Sequence, residues 1–124
     1  GYLKITVRTG SNGIPVPNAS VTVSRRYDGK EEIISMTTTD ISGDTEVFRL
    51  SAPSQGNSNT PQDYDNYSVY DVAVYARGYY REVSRNVPIF ENITSIQGFN
   101  LIPEPYSFDS GGNFISYGNQ EPEV

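Results

Sequence analysis

The chain contains no cysteine, no histidine and no tryptophan, and Met36 is its only methionine. Without cysteine there is no disulfide framework and no thiolate metal site. Without histidine, imidazole-based catalysis and most zinc sites are excluded too. No apolar run approaches the length of a membrane span or of a signal h-region. Basic residues are also scarce: nine against fifteen acids give a formal net charge of -6, which argues against a nucleic-acid groove or an anionic membrane surface as the main partner. With Gly1 first and Met36 alone, the sequence reads as a fragment or processed form. The missing leader and cysteines therefore carry little information about compartment.

What is present is a 124-residue chain with 35% apolar residues and ten tyrosines. That length suits one core, with about two thirds of the unfolded-chain surface buried. Residues 2–8 alternate, with Leu3, Ile5 and Val7 on one face and Tyr2, Lys4, Thr6 and Arg8 on the other, the pattern of a half-buried strand. Pro15 and Pro17 flank Val16 and remove two ladder donors, so the chain turns there and runs along an edge. Ala19, Val21 and Val23 resume the alternation. Tyr27-Asp28-Gly29-Lys30 signals a hairpin, and Glu32 to Thr38 returns with Ile34 and Met36 expected inward. Thr39 to Asp44 is a turn, and Thr45 to Leu50 is expected as the next strand. Ser51 to Asn66 has too little apolar content to pack and reads as a long surface loop. Val69 to Arg77 is the strongest strand, with Tyr70, Val72, Val74 and Ala76 on one face, and belongs in the centre of a sheet. Gly78 breaks it. Tyr80 to Val87 with Ile89 and Phe90 makes a sixth extended segment ending near Pro88, and Ile96 to Ile102 a seventh.

No segment has helical periodicity, and seven short strands at this spacing point to an all-β antiparallel β-sandwich. The predicted domain is 1–103. Residues 104–124 read as an acidic tail or linker with Pro and Gly. Residues 1–102 hold eleven acids and nine bases, so the folded part is nearly neutral and its acidity is no argument for a cation-binding surface.

Four stretches resemble the carboxypeptidase regulatory-like domain of the transthyretin-like (prealbumin-like) group. They are Gly13-Ile14-Pro15-Val16-Pro17-Asn18-Ala19-Ser20-Val21-Thr22-Val23, Thr39-Asp40-Ile41-Ser42-Gly43, Leu50-Ser51-Ala52-Pro53 and Val74-Tyr75-Ala76-Arg77-Gly78-Tyr79. The likeness covers nearly all of residues 2–102 and implies a seven-stranded Greek-key sandwich. More narrowly, the long loop with Gly78-Tyr79-Tyr80, Arg85-Asn86-Val87, Ile89-Phe90 and Asn100-Leu101-Ile102-Pro103 is similar to the N-terminal domain of clostridial spore cortex-lytic enzymes and to modules of Gram-positive cell-wall proteins. The resemblance implies a non-catalytic accessory, interaction or pro-region module in an extracellular, cell-envelope or spore setting. Its partners would be other domains of the same polypeptide or cell-wall proteins, with glycan or peptidoglycan as an alternative. No cofactor, nucleic acid or membrane span is implied. A shared fold does not supply an activity.

Three groups of residues carry chemistry worth locating. Asp40, Ser42 and Asp44 alternate within one turn and could offer oxygens to calcium, but the EF-hand pattern is not met and a capped turn is the simpler reading. Tyr64, Tyr67, Tyr70, Tyr75, Tyr79 and Tyr80 fall within 17 residues. Tyr70 is inward by parity. Tyr64, Tyr67, Tyr75 and one of Tyr79 or Tyr80 are candidates for a glycan or protein contact patch, against the simpler reading that tyrosines favour strands. Lys4 and Asn100 lie on the first and last strands, as do the partners of self-formed isopeptide bonds in the collagen-adhesin repeats this fold resembles. The parity of Lys4 favours a solvent-facing amine. A hydrolase using paired carboxylates is a third possibility that no spacing here supports. Arg25, Arg26, Arg77, Arg81 and Arg85 read as solvated. Asn18, Asn66 and Asn92 head Asn-x-Ser/Thr triplets, which act as glycan acceptors only in a secreted eukaryotic protein.

Overall fold

The computed structural model describes residues 1–53, 67–108 and 114–116. Among them the chain is all-β: β1 (Tyr2–Thr9), β2 (Ile14–Pro15), β3 (Ser20–Tyr27), β4 (Lys30–Thr38), β5 (Phe48–Arg49), β6 (Tyr67–Tyr75), β7 (Glu82–Phe90), β8 (Thr94–Leu101), β9 (Tyr106–Phe108) and β10 (Phe114–Ser116). No helix of the described residues is long and apolar enough to cross a membrane.

Two four-stranded sheets share one core. In the first, β1 is central, with β8 along one edge and β2 and β5 sharing the other. In the second the order is β4-β3-β6-β7. The period-two residues make the junction: Leu3, Ile5, Val7, Phe99 and Leu101 from the first sheet meet Val21, Val23, Tyr70, Val72, Val74, Val87 and Ile89 from the second, all buried in one cluster. Each such side chain contributes about 1.5–3 kcal/mol by leaving water, so this sandwich-like layer is the main stabilising feature. β6 is internal in its sheet, as the alternation of Tyr70, Val72, Val74 and Ala76 predicts.

Local chemistry fixes the turns. Asp28 and Gly29 both take positive φ (56° and 77°) between the paired residues Tyr27 and Lys30, the geometry of a two-residue hairpin turn. Gly43 (φ 79°) sits so tightly that a Cβ would lie 2.5 Å from the Val7 carbonyl oxygen. Buried Thr39 ties the proline segment down: its hydroxyl donates to Val16 O (2.7 Å) and accepts from Ala19 N–H (2.9 Å). Asn18 and Asn92, which head two of the glycan-type triplets, hold left-handed turn positions (φ 60° and 62°).

Several expectations are corrected. Ile34 and Met36 do not point inward; Met36 is 65% exposed. The register shifts between Val23 and Ser24, so Ser35 opposes Val23 and Thr37 opposes Val21, while Ile34 is the extra residue of a bulge. The sandwich is not wholly antiparallel, because β8 runs parallel to β1 over its whole length. The strand expected over 45–50 shrinks to Phe48–Arg49, since Thr45 O–H and N–H are used against Glu46 O and Ile5 O instead. Pro88 lies inside β7, which tolerates it as an edge strand. Among the described residues ten extended elements replace the seven expected, because the proline edge pairs as β2 and the predicted tail carries the β9–β10 ladder. Glu104 N–H also bonds Gly78 O, so the chain stays fastened past residue 103.

Candidate functional site: the outer face of the second sheet

The strands of the second sheet place every second residue on a face turned away from the core. The register aligns Met36, Thr22, Ala73 and Val83 across all four strands. On one side of that row Tyr75 pairs with Ser20; on the other come Ile33, Ser24 and Asp71, then Val69 beside Pro88 and Tyr67 beside Phe90. Met36, Ile33, Tyr75, Val69, Tyr67 and Val83 are all large apolar groups open to solvent on this one face. Thr22 and Ala73 give the row a low floor, while Met36 and Val83 stand at its ends. A face of this kind exceeds the singly scattered apolar residues of an ordinary surface.

One charged group sits in the middle of it. Asp71 is only 8% exposed, and it faces the point where β7 carries two residues, Arg85 and Asn86, against its one. Its Oδ1 accepts from Asn86 N–H (3.0 Å), its Oδ2 from Arg85 Nη1 (3.0 Å), and Arg26 Nε stands 3.7 Å away. Asn86 adopts φ 60°, so the carboxylate caps a left-handed bulge and neutralises cations that would otherwise interrupt the apolar face. Arg26 and Arg85 are thus engaged by Asp71 rather than simply solvated. Arg25 lies on the inner side, with its guanidinium carbon 6.0 Å from the centre of the Tyr70 ring.

The tyrosines divide. Tyr64 lies outside the described residues. Tyr67 and Tyr75 are both outward on β6 but eight residues apart, about 26 Å at strand rise, so they do not form one patch. Tyr67 instead packs its ring against Phe90 (centroids 5.3 Å apart). Tyr79 and Tyr80 are half-buried: Tyr79 packs against the core and bridges to Pro103, and Tyr80 N–H donates to Ile102 O. Tyr70 is core, its hydroxyl donating to Ser51 O (2.8 Å). Of the described members of the proposed set, Tyr75 is the one that stands beside the Met36–Val83 row.

The Asp40 turn is built from its own backbone. Asp40 Oδ1 accepts from Ser42 N–H (2.9 Å) and Asp44 N–H (3.0 Å). The Asp44 N–H bond holds the Asp40 carboxyl below its usual range, with the Ser42 N–H and the Lys4 charge acting the same way. The Asp44 carboxylate is held by Arg8 Nη2 (3.2 Å) and Lys4 Nζ (3.7 Å). These carboxylates therefore serve the turn and the β1 cations. Among the described residues no group of three or more acidic side chains is placed to hold a metal ion. Lys4 lies beside Ile96 in the parallel register and Asn100 beside Arg8, which sets the isopeptide candidates four residues apart along the sheet. An open groove of about 440 Å³ lies at the start of β1, bordered by Gly1, Tyr2, Arg49, Leu50 and Glu91.

Reading residues alone missed Ile33, Met36, Val69 and Val83 as surface groups. The alternation of β6 on both faces was the available signal, since Val69, Ala73 and Tyr75 leave its outer side apolar as well.

No family model and no curated protein matches the chain. Among solved structures it is similar to a 9R-lipoxygenase from Cyanothece PCC8801, at 15% identity and a TM-score of 0.47, over 88% of this chain and 17% of that one.

Proposed function

We propose that the chain is a non-catalytic accessory or interaction module, of the carboxypeptidase regulatory-like, transthyretin-like kind with its Greek-key sandwich, serving a larger Gram-positive cell-envelope or spore-associated protein. The observation that carries this reading is the solvent-open apolar face of the second sheet, with Met36, Ile33, Tyr75 and Val83 spread across its four strands and its buried acid neutralised in place. Such a face suits a protein surface with an apolar centre and a polar rim. The motif run from Gly13 to Tyr79 and the likeness to the N-terminal domain of spore cortex-lytic enzymes supply the setting. The partner is then another domain of the same polypeptide or a wall protein. Amide exchange tests this: the amides of residues 31–37 and 82–85 exchange at least ten-fold more slowly in the full polypeptide than in the isolated chain. Equal rates contradict it.

A second reading, a carbohydrate or peptidoglycan binder, rests on Tyr75, whose exposed ring stands beside the small Ala73 and Ser20 and has a polar tip suited to a sugar face. Retention on purified Gram-positive sacculi that is lost on Tyr75→Ala would favour it over the first; no retention removes it.

A further inference from the structure

Among the described residues five strand edges of the two sheets have no partner strand, and four of them are blunted. β2 is two residues long and contains Pro15, and β5 is two residues long. β4 begins with Lys30, Glu31 and Glu32 and is bulged at Ile34. β7 contains Pro88 and the Arg85–Asn86 bulge. These are the standard devices that stop a sheet from recruiting another strand. The fifth edge has none of them. β8, Thr-Ser-Ile-Gln-Gly-Phe-Asn-Leu, runs eight residues without a charge, a proline or a shift of register.

The phase of its ladder follows from β1. Val7 N–H bonds Gly43 O, and Ile5 O and Val7 O accept from Thr45 and Val16 on the far side, whereas Tyr2 N–H reaches back to Ile93 O. Even-numbered residues of β1 therefore bond the odd residues of β8. Thr94, Ile96, Gly98 and Asn100 are left with N–H and C=O on the free edge. Beyond this stretch the seam is closed, by the Phe90–Ile93 turn at one end and by Tyr80 N–H on Ile102 O at the other.

We propose that β8 pairs antiparallel with β8 of a second copy about a two-fold axis at Gln97, each Ile96 closing over the other copy's Gly98. Two neighbouring features select a second copy as the occupant. Ile96 is 67% exposed, and two residues along the same face Gly98 offers no side chain, with only Thr6 Oγ1 within 4 Å of where a Cβ would be. A two-fold at Gln97 sets residue 96 opposite residue 98 twice over, so each protrusion meets the other's gap. The same axis brings two neutral Gln97 side chains together, and no like charges meet anywhere along the uncharged strand. This pairing uses the edge of the first sheet and is independent of the outer face of the second.

The chain has no cysteine, so single substitutions report the register cleanly. Residue 97 faces its own copy in a non-hydrogen-bonded pair, with Cα atoms about 4.5 Å apart, inside the range of a disulfide. Under mild oxidation Gln97→Cys gives a covalent dimer, and Ser95→Cys, which faces Phe99 of the other copy, gives at least ten-fold less. Adding Ile96→Lys to Gln97→Cys lowers the yield at least ten-fold, as does Gly98→Val, which fills the gap; Ile14→Lys, at a residue also more than half exposed but on β2, leaves it unchanged. Sedimentation of the unmodified chain shows mass rising toward twice the monomer with concentration. A monomer throughout the soluble range, equal yields from Ser95→Cys and Gln97→Cys, or full yield after both Ile96→Lys and Gly98→Val would overturn the proposal. In the first case an extended peptide of another protein becomes the candidate for this edge.

Discussion

The two faces of β6 make the most instructive contrast in the molecule. Tyr70, Val72, Val74 and Ala76 point inward and are buried; Tyr67, Val69 and Tyr75 point outward, scarcely less apolar, and are 39%, 41% and 47% exposed, with Ala73 half-buried between them. The inner set is closed off by a second sheet. The outer set is interrupted by one carboxylate, Asp71, whose role is to hold a bulge. The lesson is that apolar composition does not tell a core from a contact face; what separates them is whether another layer covers them.

The contrast can be broken from either side. The largest effect is expected at Tyr70→Ala, which empties a core site and removes the bond to Ser51 O: about 4 kcal/mol of stability lost in denaturant unfolding. Asp71→Ala comes next. It leaves the Asn86 N–H and the Arg85 and Arg26 cations without their acceptor, at a cost of about 2 kcal/mol, while Asp71→Asn, keeping one acceptor, costs less. Met36→Ser, equally apolar by composition but outward, changes stability by no more than about 0.5 kcal/mol, and an effect like that of Tyr70→Ala would erase the distinction. The smallest effect concerns acid. Because the folded Asp40 carboxyl ionises below its usual value, its contribution is full above that value and fades as pH falls through the lowered one. Asp40→Asn should therefore flatten the acid end of a stability-against-pH curve and leave neutral pH nearly unchanged.

Much of the layer structure was legible in the residues. β1, β3 and β6 carry strict period-two alternation with one face of Leu, Ile and Val, and nothing nearby competes with that pattern. Asp28-Gly29 and Asp40 to Gly43 announce their turns through side-chain acceptors and positive φ. What failed was non-local. Ile34 and Met36 follow the same alternation, yet a bulge opposite Val23 shifts every residue after it to the other face, and only the partner strand determines where a bulge falls. The parallel pairing of β8 with β1 joins segments some ninety residues apart, and no local pattern encodes its direction. The candidate face shows the same limit: parity turns Tyr75 outward, but it turns Met36 inward, and only the bulge brings Met36 to the face that Ile33 and Tyr75 share.

Thiol reactivity at position 36 distinguishes an open outer face from a covered one. With no native cysteine to interfere, Met36→Cys in the isolated chain should react with a maleimide at nearly the rate of a free thiol, and at least ten-fold more slowly in the larger polypeptide that the proposed function calls for. A Met36→Cys thiol that is shielded in the isolated chain, or equally reactive in both, would contradict the account of this face as an open surface awaiting a partner.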